Sequence, residues 1–202
     1  SSDLANRSVA QIDLDAFANN IEIVRSSCPK QSYLPIIKAN GYGHGLEAIA
    51  GVLLATAKQV AQSVNSLEGC AIAALSEAQR LRECGWDRPI VLLPGFIDTA
   101  ELDECKRLGI DPVIHSPYQL ALMLANPNGI TRVWLKANTG MNRLGLNAEA
   151  WHEALTALSA VPNLAIVAMS HLACADELDS PVTLKQKSQF DSLLANTGAI
   201  RK

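Results

Sequence analysis

The stretch Tyr33-Leu34-Pro35-Ile36-Ile37-Lys38-Ala39-Asn40-Gly41-Tyr42-Gly43-His44-Gly45 decides how the chain is read. An apolar run, Tyr33 to Ile37, stops at Lys38, and three glycines follow with no bulky aliphatic side chain between them. The pattern predicts a buried strand that opens into a tight loop. A lysine at the mouth of such a strand is partly desolvated, which lowers its pKa and makes it a candidate imine-forming amine. The glycines let backbone approach a ligand closely, and Tyr42 and His44 add polar groups beside the amine. On spacing alone a strand-end lysine more often snorkels to water.

Outward from this stretch, apolar runs alternate with helical patterns. Val9–Leu14 alternates apolar and polar residues and predicts a strand, with Asp15 capping a helix through Phe17, Ile21 and Val24 that Pro29 closes. After the glycine loop, a helix is expected from Leu46 to about Val64. Cys70–Leu75 predicts a strand, followed by Ser76 and Gln79 at capping-box spacing. Pro89–Gly95 predicts a strand, and Thr99–Leu108 a helix stopped by Gly109. Asp111–His115 reads as a strand and Ser116-Pro117 as the start of a helix. Arg132–Ala137 and Leu164–Ser170 complete the strands, with helices over Ala148–Ser159 and from about Thr183 to Leu194.

Short apolar strands alternating with helices imply a largely parallel sheet with helices outside it, an α/β fold. Six such units, uniformly apolar where they face the sheet, fit a closing (β/α)8 TIM-type barrel better than an open sheet. Two strands of eight would still be owed where the sequence stops at Arg201-Lys202, so the barrel is expected to be incomplete at its C-terminal end. Residues 1–202 are read as one domain.

Composition bounds the function. The chain has 202 residues, 49% hydrophobic and 18% charged, enough apolar material for a packed core. A formal charge of −3 with scattered basic residues argues against a nucleic-acid binder. No apolar run approaches the roughly 18 residues that span a bilayer. The start Ser1-Ser2-Asp3-Leu4-Ala5-Asn6-Arg7 lacks the order of a signal peptide, so a cytoplasmic location is expected. Five widely spaced cysteines without a Cys-x-x-Cys suggest neither a disulfide framework nor a metal site.

In a barrel, chemistry gathers at the carboxyl ends of the strands. Two further stretches lie there. Lys136-Ala137-Asn138-Thr139-Gly140-Met141-Asn142-Arg143-Leu144-Gly145 sets two cations around a glycine turn, where a guanidinium could bind a phenolate or carboxylate in fork geometry. Met169-Ser170-His171-Leu172-Ala173-Cys174-Ala175-Asp176 places a histidine directly after a buried strand.

Taken together, the three stretches resemble the signatures of alanine racemases, fold-type III pyridoxal-phosphate enzymes. The first is similar to Val-Lys-Ala-Asn-Ala-Tyr-Gly-His-Gly, with Gly41 in place of alanine. The second is similar to Leu-Lys-x-Asp-Thr-Gly-Met-x-Arg-Leu-Gly, with Asn138 in place of aspartate, and the third to Ser-His-Phe-Ala-x-Ala-Asp. The resemblance covers the N-terminal, barrel-forming part of the family. It implies pyridoxal 5'-phosphate as cofactor, held on Lys38 as an imine, and interconversion of L- and D-alanine to supply D-alanine for peptidoglycan. Lys38 resembles one catalytic base, and Tyr42 resembles the tyrosine at the cofactor phosphate. Arg143 resembles the arginine near the phenolic oxygen and substrate carboxylate, and His171 the histidine against the pyridine ring. Lys136 resembles the lysine that is carbamylated in some members and steadies that arginine. The family further implies a homodimer whose opposite base is a partner-subunit tyrosine, so this chain alone is expected to bind cofactor weakly and racemise poorly. Alternative readings are a broad-specificity amino-acid racemase and a non-catalytic pyridoxal-phosphate barrel protein; the latter lacks the Lys136–Gly145 signature.

Overall fold

The structure, a computed structural model, describes residues 9–59, 65–195 and 197. The first expected strand is absent. Residues 9–13 form no ladder, and helix α1 (Leu14–Ser27) begins at once, capped by Asp13, whose Oδ1 accepts the N–H of Ala16 at 2.9 Å. Asp15 lies inside the first turn rather than at the cap. The alternation of Val9–Leu14 is misleading because no strand among the described residues lies beside it, and Val9 is 83% exposed.

The segment Tyr33–Ile37 runs extended and parallel to the next strand, but only through bridges at Tyr33–Leu67 and Ile36–Ala71. Pro35 has no N–H to give, and its carbonyl accepts from Ala71 at 2.9 Å. Helix α2 (Leu46–Gln59) follows; the expected continuation to Val64 lies outside the described residues.

Five strands then alternate with helices: β1 (Cys70–Ile72), α3 (Leu75–Glu83), β2 (Ile90–Leu92), α4 (Thr99–Leu108), β3 (Asp111–Ile114), α5 (Pro117–Ala125), β4 (Arg132–Lys136), α6 (Ala148–Ser159), β5 (Ala165–Met169) and α7 (Pro181–Leu194). The caps explain most boundaries. Asp98, Ser116 and Asn147 each accept an N–H from the first turn of their helix, and Gly109 at φ 60° ends α4. At α3 the expected capping box does not form. Ala74 occupies the cap, Ser76 is inside the helix, and Gln79 donates to Glu83 instead. The strand predicted over Cys70–Leu75 is correspondingly shorter, because Leu75 already belongs to α3.

The sheet order is β1-β2-β3-β4-β5, every pair parallel. A doubly wound sheet reverses direction at a switch point, whereas a strictly sequential order is that of a barrel. Two apolar clusters match this. Ala71, Val91 and Val113 pack with Leu34, Leu93, Trp134 and Met169 on one face of the sheet. The larger cluster, which includes Ile72, Leu92, Leu135, Trp86, Trp151 and Leu81, fills the space between sheet and helices. The fold is a TIM-barrel-like α/β architecture with helices along the outside. The strands are not uniformly apolar, because Asp111, Arg132 and Lys136 sit at strand ends.

Candidate functional site

Lys38 opens a turn rather than ending a regular strand. Ala39, Asn40, Gly41 and Tyr42 have φ of 52°, 56°, 64° and 54°, a single left-handed helical turn. Such a conformation costs L-residues roughly 1–2 kcal/mol each, so the surroundings must hold it. Its backbone closes through Gly41 N–H to Ile37 O (2.9 Å), Gly43 N–H to Ala39 O (3.0 Å) and Gly45 N–H to Asn40 O (3.0 Å). Asn40 Oδ1 accepts from Leu46 N–H at 3.1 Å and from Arg80 Nη2 at 2.9 Å. Arg80 is itself anchored by two parallel bonds to Glu47, of 2.7 and 2.8 Å. The Glu77 carboxylate accepts the N–H of Asn40 at 3.0 Å. His44 Nδ1 lies 2.9 Å from the Gly41 carbonyl, which fixes the proton on that nitrogen and makes the ring part of the turn.

The turn leaves Lys38 half-buried, its Nζ 5.9 Å from the centre of the Tyr42 ring. Lys136 is nearly enclosed at the end of β4, 7% exposed. The β4–β5 register pairs Lys136 with Met169, so the segment that carries His171 begins beside it. Burial, then Arg143, then Lys38 push the Lys136 ammonium below the usual lysine range. Partial burial of the ring at the rim, then Lys136, Arg143 and Lys38, likewise hold the His171 imidazole below the usual histidine value. Residues from three separate stretches of sequence thus form one mouth with mutually repelling positive charge. Among the described residues none of Lys38, Lys136 and Arg143 has a carboxylate partner.

The Lys136–Gly145 loop is folded around Asn138. Its Oδ1 accepts the N–H groups of Gly140 and Asn142, both at 3.1 Å, and its Nδ2 donates to Asn142 Oδ1 at 2.9 Å. Leu146 closes the loop by exchanging backbone bonds with Lys136 and Asn138 at 2.9 and 2.8 Å. Arg143 and His171 are exposed at the rim. The remaining histidines are elsewhere: His115 bonds Pro94 O at 2.9 Å, and His152 bonds Ala148 O within α6.

Sequence reasoning missed Glu77, Arg80 and Gln186, which touch the loops of the mouth. For Glu77 a signal existed, since it stands three residues after the Ala74 cap, where a carboxylate reaches back toward the helix entrance. Arg80 and Gln186 carry no comparable sequence signature.

Residues 12–201 match the family described as alanine racemase, N-terminal domain. The chain is 41% identical over 192 residues to an alanine racemase of Thioalkalivibrio sulfidiphilus, covering 93% of the chain and 50% of that protein. It is 38% identical over 187 residues to one from Vibrio parahaemolyticus, covering 91% and 49%. The solved structure of alanine racemase from Acinetobacter baumannii superposes with a TM-score of 0.83 at 27% identity, over 94% of this chain and 54% of that one. The chain therefore spans about half the length of the curated relatives it matches. With a sequential parallel sheet, a lysine turn and a cationic mouth already in place, the match over nearly all of its residues places the chain in the alanine racemase N-terminal domain family.

Proposed function

We propose that the protein to which this chain belongs interconverts L- and D-alanine with pyridoxal 5'-phosphate, and that residues 1–202 supply the cofactor-binding barrel domain. The observation that carries this reading is the mouth in which Lys38, Lys136 and Arg143 gather beside His171 with no carboxylate partner among the described residues. A ligand with a phosphate, a phenolic oxygen and an aldehyde fits it, because the two anionic groups would relieve the repulsion and the aldehyde needs an amine. Bound there, the cofactor would supply an electron sink that acidifies the α-hydrogen of the amino acid.

In this reading Lys38 is the covalent anchor and, once displaced by substrate, the group that takes or returns the α-proton on one face. The left-handed turn aims its amine, and Tyr42 stands beside it to contact the phosphate. Arg143 orients the phenolic oxygen and the substrate carboxylate with its planar fork. His171 packs against the pyridine ring. Lys136, already biased toward the neutral amine, is suited to carbamylation, which would replace a repelling charge beside Arg143 with an attracting one. Inversion needs a second base on the opposite face, which this reading assigns to a tyrosine of a partner subunit in a homodimer. The alanine racemase name of the relatives supports alanine as substrate; D-alanine for peptidoglycan is the product this reading assigns. A cytoplasmic enzyme suits that supply; among the described residues no helix is long and apolar enough to cross a membrane.

The test is reductive trapping. The chain is incubated with pyridoxal phosphate, treated with borohydride and digested, and the modified lysine is identified by mass. Modification concentrated on Lys38 and lost in Lys38→Ala is the expected result. Label spread over surface lysines, unchanged in Lys38→Ala, would overturn Lys38 as the anchor that this chain places by itself.

A further inference from the structure

Three buried side chains repeat one arrangement. Glu77 on α3, Gln119 on α5 and Gln186 on α7 are 8%, 3% and 2% exposed. Each bonds the loop that leads into its own helix and also an earlier strand-to-helix loop. Glu77 accepts the N–H of Ala73 at 3.0 Å in its own loop and that of Asn40 at 3.0 Å in the Lys38 turn. Gln119 accepts from His115 N–H at 3.0 Å and donates to Pro94 O and Phe96 O at 2.9 and 3.1 Å. Gln186 accepts from Ala173 N–H at 2.8 Å, donates to His171 O at 2.9 Å, and reaches Thr139 Oγ1 at 3.3 Å. Residue type follows the partners. Glu77 faces two N–H donors, which only a carboxylate satisfies, whereas each glutamine faces one donor and two acceptors, which only a carboxamide satisfies.

We propose that Glu77 and Gln186 are positioning residues for the site, Glu77 fastening the Lys38 turn to the loop after β1 and Gln186 fastening the loop of His171 to the loop of Arg143. The inference rests on the reading of Lys38, Arg143 and His171 as the site. Gln119 is the same device on loops that carry none of these residues, and so separates positioning from general stability. At the Gln186 end the link continues through Thr139, whose hydroxyl lies 2.7 Å from Ser170 Oγ, which in turn donates to Ala137 O at 3.1 Å. The loops after β4 and β5 are therefore joined by buried groups that lose their partners together.

The experiment follows the His171 imidazole by NMR titration in the full chain without cofactor, with His171→Gln to assign the signal. In the unsubstituted chain His171 titrates below the ordinary value. Gln186→Met releases the ring from Lys136, Arg143 and Lys38, so its titration moves upward. Gln119→Met lowers the unfolding midpoint but leaves the His171 titration in place. In Glu77→Met, which removes both acceptor oxygens, the Asn40 amide exchanges with solvent about tenfold faster, the loss of one charge-assisted bond. If Gln186→Met does not fold, Thr139→Val cuts only the link between the loops and shifts His171 the same way. An unmoved His171 in the folded Gln186 or Thr139 variant, an equal movement in Gln119→Met, or unchanged Asn40 exchange in Glu77→Met would overturn the proposal. These readouts need no cofactor, so a failure of trapping at Lys38 is a separate result.

Discussion

Asn138 Nδ2 donates to Asn142 Oδ1 at 2.9 Å, while Asn138 Oδ1 accepts the backbone N–H of Asn142 at 3.1 Å. This mutual pair holds the loop carrying Arg143 with an asparagine at 138. Asn142 itself sits at φ 58°, a conformation asparagine tolerates better than most residues. An aspartate at 138 would keep both accepted N–H bonds, and the Asn142 amide need only flip to donate to it. Asn138→Asp is therefore expected to change stability by less than about 0.5 kcal/mol. Asn138→Ala removes every side-chain bond and should cost about 1 kcal/mol. Urea unfolding of both variants checks the contrast; equal losses would mean that the carboxamide oxygen does not organise the loop.

Two glycines of the site differ in what they permit. A Cβ on Gly41 would meet Ile49 Cγ1 at 3.3 Å, a flexible neighbour, and φ is +64°. A Cβ on Gly145 would lie 2.6 Å from Asn138 N and 2.8 Å from Ala137 C, both backbone, at φ +128°. Gly41→Ala is expected to cost about 1 kcal/mol, the left-handed penalty already borne by Ala39 beside it. Gly145→Ala should cost about 3 kcal/mol or more, because the closing of the loop on β4 must shift. Thermal unfolding that ranked the two alike would contradict the close packing at Gly145.

Sequence and structure agree where local chemistry alone sets the outcome. Asp98 and Gly109 bracket α4, Asn147 starts α6, and these helices occupy the residues expected of them. Strand ends were read too long, as at Ala73–Leu75, because an apolar run does not show where the neighbouring ladder stops. The left-handed turn after Lys38 could not be read, since Ala39 and Tyr42 have no preference for that conformation; Glu77, thirty-seven residues away from Asn40, helps to impose it. Motifs named Lys38, Lys136, Arg143 and His171 one by one. Their convergence depends on strand register, which no single motif contains.

Acid pH should weaken the mouth. The folded His171 imidazole has a lowered pKa, so its protonated form is disfavoured in the native state relative to the unfolded chain. Its stabilising share is complete above the ordinary histidine value and is lost as pH falls from there through the lowered folded value. His171→Gln removes that dependence. The expected outcome is that the stability of the substituted chain, relative to the original, improves between about pH 7.5 and pH 5. Denaturant titrations across the interval decide it, and parallel curves would mean that neither burial nor the charges of Lys136, Arg143 and Lys38 act on His171.

At the opposite ends of the strands, Arg132 Nε donates to Asp111 Oδ2 at 2.7 Å and Arg132 Nη1 lies 3.3 Å from Glu68. Burial nevertheless holds the Asp111 carboxyl above the usual range, outweighing the hydrogen bond and charge of Arg132. Desolvation therefore exceeds attraction, and the pair itself contributes little net stability. Arg132→Met leaves Asp111 enclosed without its main partner and should cost about 3 kcal/mol at neutral pH. Because an acid with a raised folded pKa loses stability as pH rises through that value, the deficit should shrink as pH falls toward 4. The double substitution Arg132→Met with Asp111→Leu should recover to within about 1 kcal/mol of the original, since the enclosed Asp111 charge is removed together with its main partner. Unfolding free energies of the single and double variants at pH 7 and pH 4 test both statements, and a double variant as unstable as the single one would show that attraction, not desolvation, dominates there.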